Sequence, residues 1–226
     1  MLALSLALAA CQGATNQNGQ PATGSVLGMS KSAETDWSRH PAHADYKRGL
    51  LYLYGDSGPP DGKEAAKWFR VAAEQGHAQA QGFLGRAYEE GIGVRQDYAQ
   101  AERWYRASAE QGFYLAQASL GMLYLNGRGL PQDDAEAAKW FRRAAEQNYA
   151  NAQAALGVMY THGRGVPQHL VIAQMWLRLG ARQGNEVALE AMEFYAELIT
   201  PFQNDEAERR AKEWLEAYHA RNAAAE

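Results

Sequence analysis

The chain repeats one stretch almost unchanged: residues 65–75 read AAKWFRVAAEQ, and residues 137–147 read AAKWFRRAAEQ. The tryptophans of this pattern recur every 36 residues without insertion or deletion, at Trp68, Trp104, Trp140 and Trp176. A constant period of about 20 to 50 residues is typical of solenoid proteins, in which each unit is too small to bury its own apolar face and stacks on its neighbours. The period therefore predicts one extended all-α array rather than separate globular domains.

Each unit is predicted to contain two helices. In the first, Ala80, Leu84 and Tyr88 recur at helical spacing on one face, and glycines end the helix. The second helix begins with an aspartate that can accept a hydrogen bond from a free amide of the first turn, at Asp61, Asp97 and Asp133. The fourth unit has His169 at this position. We therefore expect that helix to begin less sharply.

Glycine also recurs inside the predicted first helices, at Gly85, Gly121 and Gly157. Each glycine costs about 1 kcal/mol relative to alanine in an isolated helix. Their recurrence indicates that a neighbouring helix approaches closely there. The tryptophan of the second helix, at a constant phase, is predicted to pack between repeats rather than to stack on a ligand.

Composition and charge narrow the possible partners. The 226 residues include 22 Lys and Arg against 26 Asp and Glu, a formal net charge of −4. Without a basic excess for phosphate contacts, nucleic acid is not an expected partner. No apolar run reaches the roughly 20 residues that a membrane-spanning helix needs. Any membrane attachment is therefore expected through a lipid anchor only.

The N-terminal sequence MLALSLALAAC, residues 1–11, is a short apolar run that ends in the only cysteine, Cys11. Its last four residues resemble the lipobox of bacterial lipoproteins, whose cysteine is lipidated and becomes the new N-terminus. The resemblance implies a signal peptide over residues 1–11, and Gln12 implies an outer-membrane location facing the periplasm. No Lys or Arg precedes Cys11, unlike the usual signal peptide. The alternative is an apolar terminus with an incidental cysteine.

Residues 135–168, AEAAKWFRRAAEQNYANAQAALGVMYTHGRGVPQ, resemble the Sel1-like repeat, a relative of the tetratricopeptide repeat. The shared blocks are A-x-x-W-[FY]-R-x-A-A-E-Q-G, A-x-A-Q-x-x-L-G-x-x-Y and G-x-G-V-x-Q-D. The resemblance implies a right-handed α-solenoid of stacked antiparallel helix pairs over residues 38–221, with a C-terminal capping helix and a protein-binding function. Residues 12–37 are rich in Gly, Ser, Thr, Asn and Gln. That composition predicts a flexible linker.

No set of residues forms a recognisable catalytic or cofactor site. The six histidines form no H-x-x-x-H or H-E-x-x-H pair, and the spacing of His40 and His43 is only a weak metal signal. Ser108 and Ser119 stand at repeat positions of small residues, with no base to activate them. We predict a non-enzymatic protein without cofactor or metal. Because cysteine-rich members of the family resemble penicillin-interacting proteins, the alternative is a peptidoglycan-related or β-lactam-interacting enzyme, or a regulator of a cell-wall enzyme.

If the first helices line the concave side of the array, as in tetratricopeptide proteins, helical geometry at about 100° per residue identifies the partner-binding face. The residues on that face are Leu53, Tyr54, Arg86, Glu89, Glu90, Leu115, Met122, Leu125, Asn126, Val158 and His162. Several are apolar, which suits a protein or peptide partner held by a few anchors. We expect a monomeric, envelope-anchored scaffold. An accessory to export or polysaccharide machinery is a second binding role that the pattern allows.

Overall fold

The computed structural model describes residues 40–55 and 58–224. The predictions for residues 1–37, including lipidation of Cys11 and the flexible linker, lie outside these residues. The described residues form two compact units, the N-terminal unit (residues 40–132) and the C-terminal unit (residues 133–224).

Helix pairs build both units. The described residues of the N-terminal unit form α1 (Pro41–Tyr54), α2 (Gly62–Glu74), α3 (Ala78–Glu90), α4 (Tyr98–Glu110) and α5 (Tyr114–Asn126). Those of the C-terminal unit form α6 (Asp134–Glu146), α7 (Ala150–His162), α8 (Leu170–Arg182), α9 (Glu186–Phe194), a 3₁₀ turn (Ala196–Leu198) and α10 (Pro201–Ala223).

Packing follows the order of the chain. Consecutive helices pack on each other from α1 to α5 and from α6 to α9, and α10 packs on α8. No strand occurs in the part of the chain that the structure describes. The predicted all-α fold of packed helix pairs is therefore confirmed. None of the described helices is long and apolar enough to cross a membrane.

Aspartates begin three of the second helices, as predicted. The Oδ1 atom of Asp97 accepts hydrogen bonds from two backbone amides of the first turn, both at 3.0 Å. Asp61 and Asp133 accept the same two bonds. In α8, Nδ1 of His169 accepts only one, from the amide three residues later, at 3.3 Å. The fourth second helix thus starts at the expected phase with a weaker cap.

The internal glycines of the first helices make room for a side chain of the paired second helix. A Cβ atom added at Gly85 would lie 2.7 Å from Cδ1 of Tyr105, and one at Gly157 would lie 2.7 Å from Cγ of Leu177. Tyr105 and Leu177 are buried. An alanine at either glycine would therefore force two packed helices apart. The close approach that the glycines indicated is present.

Hydrogen bonds at a constant phase tie each helix pair to the next. An arginine of the second helix donates to a tyrosine hydroxyl of the following first helix. The pairs are Arg70 with Tyr88 and Arg106 with Tyr124, both at 2.6 Å, and Arg142 with Tyr160. Both members recur with the 36-residue period. The period therefore specifies contacts between pairs as well as the helices themselves.

The last helix pair departs from this pattern. Arg178 continues the arginine series, but Ala196 stands where the earlier units have tyrosine. Arg178 instead donates to Asn204 of α10 and lies 3.5 Å from the Glu208 carboxylate. The Trp214 ring of α10 lies 5.6 Å from that of the buried Trp176. The long α10 therefore covers α8 through different contacts.

Candidate partner-binding surface

The first helices of the N-terminal unit carry a set of half-buried side chains. Of the predicted partner-binding residues, Leu53, Tyr54, Arg86, Glu89, Leu115 and Asn126 are half-buried, and Glu90 is exposed. We use the name first-helix surface for six of these residues together with three half-buried neighbours from the same helices. The surface consists of Leu50, Leu53, Tyr54, Phe83, Arg86, Glu89, Glu90, Tyr114 and Leu115. Their binding role stays a prediction.

The apolar part of this surface rests on the core. Leu50, Leu53 and Phe83 pack against a buried cluster that includes Tyr46 and Phe69. The Phe83 ring lies 5.2 Å from the Phe69 ring and 5.8 Å from the Tyr46 ring, measured between centroids. Since the core holds these side chains in place, a partner would lose little free energy to ordering them.

Two further phenols interact electrostatically with the buried Tyr46. Burial raises the pKa of Tyr46, and the charges of Tyr54 and Tyr114 raise it further. Tyr54 comes from α1 and Tyr114 from α5. The side chains of the first-helix surface therefore come from the three first helices of the N-terminal unit.

A fixed charged edge belongs to α3. The Nε of Arg86 donates to Oε1 of Glu90 at 2.9 Å. The buried Tyr105 donates its hydroxyl to Oε2 of Glu89 at 2.7 Å. Burial raises the pKa of the Glu89 carboxyl, while the Tyr105 hydrogen bond and the Arg128 and Arg86 charges oppose that rise. Both carboxylates are thus held in place before any partner arrives.

Three predicted residues are not available to a partner. Met122 and Leu125 are 7% and 8% exposed, and Val158 of the C-terminal unit is 3% exposed. Val158 packs with Leu177 and with alanines of α9, so the next first helix covers it. The expectation of an open apolar floor at these positions is wrong. Helical geometry identifies the face of a helix, but not the part of that face that a neighbouring helix covers.

The remaining predicted residue, His162, lies in the C-terminal unit. It is exposed, and its Nε2 lies 2.7 Å from the hydroxyl of Tyr195, the residue that follows α9. The rings meet edge to face, with centroids 5.4 Å apart. In this structure, His162 therefore joins two first helices of its own unit.

The spacing of His40 and His43 was a weak metal signal, but both histidines make other contacts in the structure. Nδ1 of His40 accepts a hydrogen bond from the Ala42 amide at 3.2 Å and so begins α1. Nδ1 of His43 lies 3.3 Å from Nε2 of His77, with the two rings stacked. No group of three or more potential metal-ligating side chains lies within residues 40–55 and 58–224.

Helical geometry did not identify two aromatic residues of the first-helix surface. Phe83 stands where the next unit has Ser119, and Tyr114 stands where the next unit has Ala150. Both are large aromatic residues at positions that carry small residues one period later. Such departures from the repeat were the signal that could have identified them.

Comparison with known proteins accounts for the repeats. The Sel1 repeat family matches residues 42–77, 78–113, 115–149 and 150–185, more than half of the chain. The chain belongs to the Sel1 repeat family. Each matched repeat contains one first and one second helix, and α9 and α10 lie beyond the last match.

Two solved structures are similar to this Sel1 repeat protein. One is c5321, a protective antigen of uropathogenic Escherichia coli strains with an SLR fold, at 38% identity and a TM-score of 0.67. The other is a Sel1 repeat protein from Oxalobacter formigenes, at 39% identity and a TM-score of 0.61. The matches cover 76% and 67% of this chain, but only 38% and 44% of those chains. The chain thus spans less than half of either relative.

The family sets the general function. Sel1 repeat proteins generally mediate protein–protein interactions and are generally non-catalytic scaffolds. No curated protein matched the chain.

Proposed function

We propose that this Sel1 repeat protein is a monomeric adaptor of a bacterial cell envelope that captures a protein or peptide segment on the first-helix surface. A lipid on Cys11 would hold it at the outer membrane, facing the periplasm. The interaction role of the family supports the capture, and the lipobox-like ending of residues 1–11 supports the anchor.

One observation carries the proposal: half-buried apolar side chains lie beside charged groups that are already fixed. Leu53 and Phe83 pack on the core, and Arg86 pairs with Glu90 on the neighbouring turn of α3. Binding sites on proteins combine a few apolar anchors with a polar rim that fixes orientation. The first-helix surface has both parts within one compact unit.

The fixed groups also favour specificity. A partner's apolar side chain placed against Leu53 and Phe83 would remove more of their surface from water, worth about 25 cal/mol per Å². A polar group near Arg86 and Glu89 would meet charges whose positions are already set by Glu90 and Tyr105. A partner without a matching polar group would remove these charged groups from water without a compensating hydrogen bond, which is unfavourable.

The test is crosslinking and pull-down from the native envelope with Leu53→Glu and Tyr54→Glu. Both side chains are half-buried, so a carboxylate there blocks an apolar partner while circular dichroism still shows a folded helical protein. Val71→Glu is the matched control, since Val71 is an exposed apolar residue of α2. We expect the partner recovered with wild type and Val71→Glu to be lost with the two surface variants. Capture by both surface variants at the wild-type level would rule out this surface.

The same preparation tests the anchor. With Cys11→Ser, the protein and its partner should move from the membrane fraction to the soluble fraction, because the lipid-bearing thiol is absent. Retention in the membrane fraction would contradict lipid anchoring and leave the capture result standing. The buried Met122 and Leu125 are unsuitable for such tests, because a carboxylate there would destabilise the fold itself.

A further inference from the structure

The C-terminal unit exposes large apolar side chains at one corner, where α9 ends and α10 begins. Phe202 is 81% exposed, Phe194 70% and Leu198 54%. No other large apolar side chain within residues 40–55 and 58–224 is more than half exposed. We call residues 186–208 the acidic corner. Exposed apolar patches mark interaction sites on soluble proteins, and these three side chains lie within nine residues of the chain.

An open cleft of about 480 Å³ lies between the acidic corner and α8. Its lining includes Met192, Glu193, Ile199 and Pro201 of the corner, together with Gln174 and Arg178 of α8. Arg178 is paired there with Glu208. α9 has 9 residues, whereas α7, the preceding first helix, has 13. After the shorter α9, the 3₁₀ turn contributes Ala196 to the lining of the cleft.

The acidic corner carries an excess of negative charge. Residues 186–208 include seven Asp and Glu and no Lys, Arg or His. Glu206 and Glu208 pair with arginines of α8 and α10. Glu190, Glu193 and Glu197 form no ion pair with any residue that the structure describes. Three carboxylates without an ion pair among the described residues therefore lie in the same short segment as the exposed apolar groups.

The remainder of α10 shows that this exposure is local. The helix presents charged groups on its solvent face, with Arg209 paired to Glu213 and Lys212 lying 4.0 Å from Glu216. A terminal helix of a repeat array is expected to have such a polar face. The exposure of Phe202 at the start of the same helix is therefore not explained by the terminal position of α10.

We propose that the acidic corner binds a basic amphipathic helix of a partner protein. The apolar face of such a helix would cover Phe194, Leu198 and Phe202, and its Lys or Arg side chains would meet Glu190, Glu193 and Glu197. An anionic membrane surface carries the same sign of charge as the corner and is disfavoured. The chain's own residues 12–37 hold one Lys against one Asp and one Glu, so they offer no basic helix.

The test measures binding of a synthetic Leu/Lys amphipathic helix of about 18 residues to the full chain carrying Cys11→Ser, by fluorescence anisotropy. A Leu/Glu helix of the same pattern is the matched peptide. We expect the Leu/Lys helix to bind more weakly as salt rises, and the Leu/Glu helix not to bind. Phe194→Ser with Phe202→Ser should weaken binding at least tenfold. Both phenylalanines are largely exposed, so an unchanged urea midpoint should show that the fold is kept.

Further variants distinguish the contribution of the glutamate charges from the location of the peptide-binding site. Glu190→Gln, Glu193→Gln and Glu197→Gln together should remove most of the salt dependence. Leu51→Ser, at an exposed leucine of the N-terminal unit, should have no effect. Tyr54→Glu should also leave peptide binding unchanged, so failure of the adaptor proposal and failure of this one are distinguishable.

Any one of four results would overturn the proposal. Equal binding of the two peptides would show that charge does not determine binding. Unchanged binding by the double serine variant would show that the peptide does not bind at the acidic corner. If no Leu/Lys binding occurs and sedimentation shows a dimer that the double serine variant abolishes, the occupant is a second copy of the chain. If the protein instead binds phosphatidylcholine vesicles through the two phenylalanines, the occupant is a lipid surface.

Discussion

His77 is an ionisable residue buried in the N-terminal unit. It is 1% exposed, and its ring stacks on that of Tyr46 with centroids 4.8 Å apart. Its Nδ1 accepts a hydrogen bond from the Ala80 amide at 3.3 Å. The neutral ring therefore carries its proton on Nε2, which faces Nδ1 of His43.

This arrangement predicts a loss of stability in mild acid. Burial, helped by His43 and His40, lowers the pKa of His77 to about 4. The unfolded residue titrates near 6.5, so below that pH the unfolded chain binds a proton that the folded chain does not. The contribution of the neutral His77 to the free energy of unfolding is therefore complete above about pH 6.5. This contribution falls by on the order of 3 kcal/mol as the pH drops to about 4. Urea unfolding between pH 7.5 and 4.5 measures it.

The control for this prediction is His77→Asn. Asn185 holds the same repeat position and caps α9 through the Ala188 amide at 2.8 Å, so asparagine keeps the cap without titrating. Glu89, whose pKa burial raises, acts in the opposite direction and is present in both proteins. The variant should be less stable at pH 7.5 but lose less on acidification. An equal acid loss in both proteins would assign the effect to other groups.

The N-terminal caps of the second helices differ in the number and length of their hydrogen bonds. Asp97 accepts two amides at 3.0 Å, whereas His169 accepts one at 3.3 Å. A carboxylate also interacts favourably with the positive end of the helix dipole. His169→Asp should therefore stabilise the protein by about 0.5 to 1 kcal/mol, seen as a higher urea midpoint. Asp97→His should lower it by a similar amount, and an unchanged or lower midpoint for His169→Asp would contradict the cap argument.

The helices were predictable because each end is encoded by residues that recur every 36 positions. Asp97 and its equivalents begin the second helices, and Gly85 and Gly157 mark where the two helices of a pair meet. The acidic corner was not predictable, since the chain leaves the period after the start of α9. The order of helices is a local property of the chain, while the way α10 covers α8 depends on contacts that occur only once.

The candidate site was predictable only in part, for a related reason. Leu53 and Arg86 are half-buried on the first-helix surface, whereas Met122 and Val158 are buried. All four share one face of their helices by the same geometry. Which of them stays accessible depends on the helices that pack beside each first helix, and those contacts are not a property of one helix alone.

At the scale of the molecule, the repeats share contacts that should make them exchangeable. Gln81 donates to the Ala73 carbonyl and Gln117 donates to the Ala109 carbonyl, each at 3.1 Å. Each glutamine thus joins one first helix to the end of the preceding second helix. In repeat proteins, stability is close to the sum of such nearest-neighbour terms.

Deleting residues 78–113 removes one full period and tests this exchange. Gln117 would then follow α2 at the phase of Gln81, and Arg70 would meet Tyr124 in place of Tyr88. We expect a folded protein of unchanged helix fraction by circular dichroism, with a lower urea midpoint because one set of inter-repeat contacts is gone. It should also fail to capture the partner, since Phe83, Arg86 and Glu89 are removed.

The matched control deletes residues 78–109, which breaks the 36-residue period while removing almost the same chain length. This variant should lose helix content, because α5 would meet α2 at the wrong phase and leave apolar side chains such as Leu120 and Leu123 without their packing partners. Equal stability of the two deletions would show that the period does not control packing. Partner capture by the in-phase deletion would show that the binding site lies outside the first-helix surface.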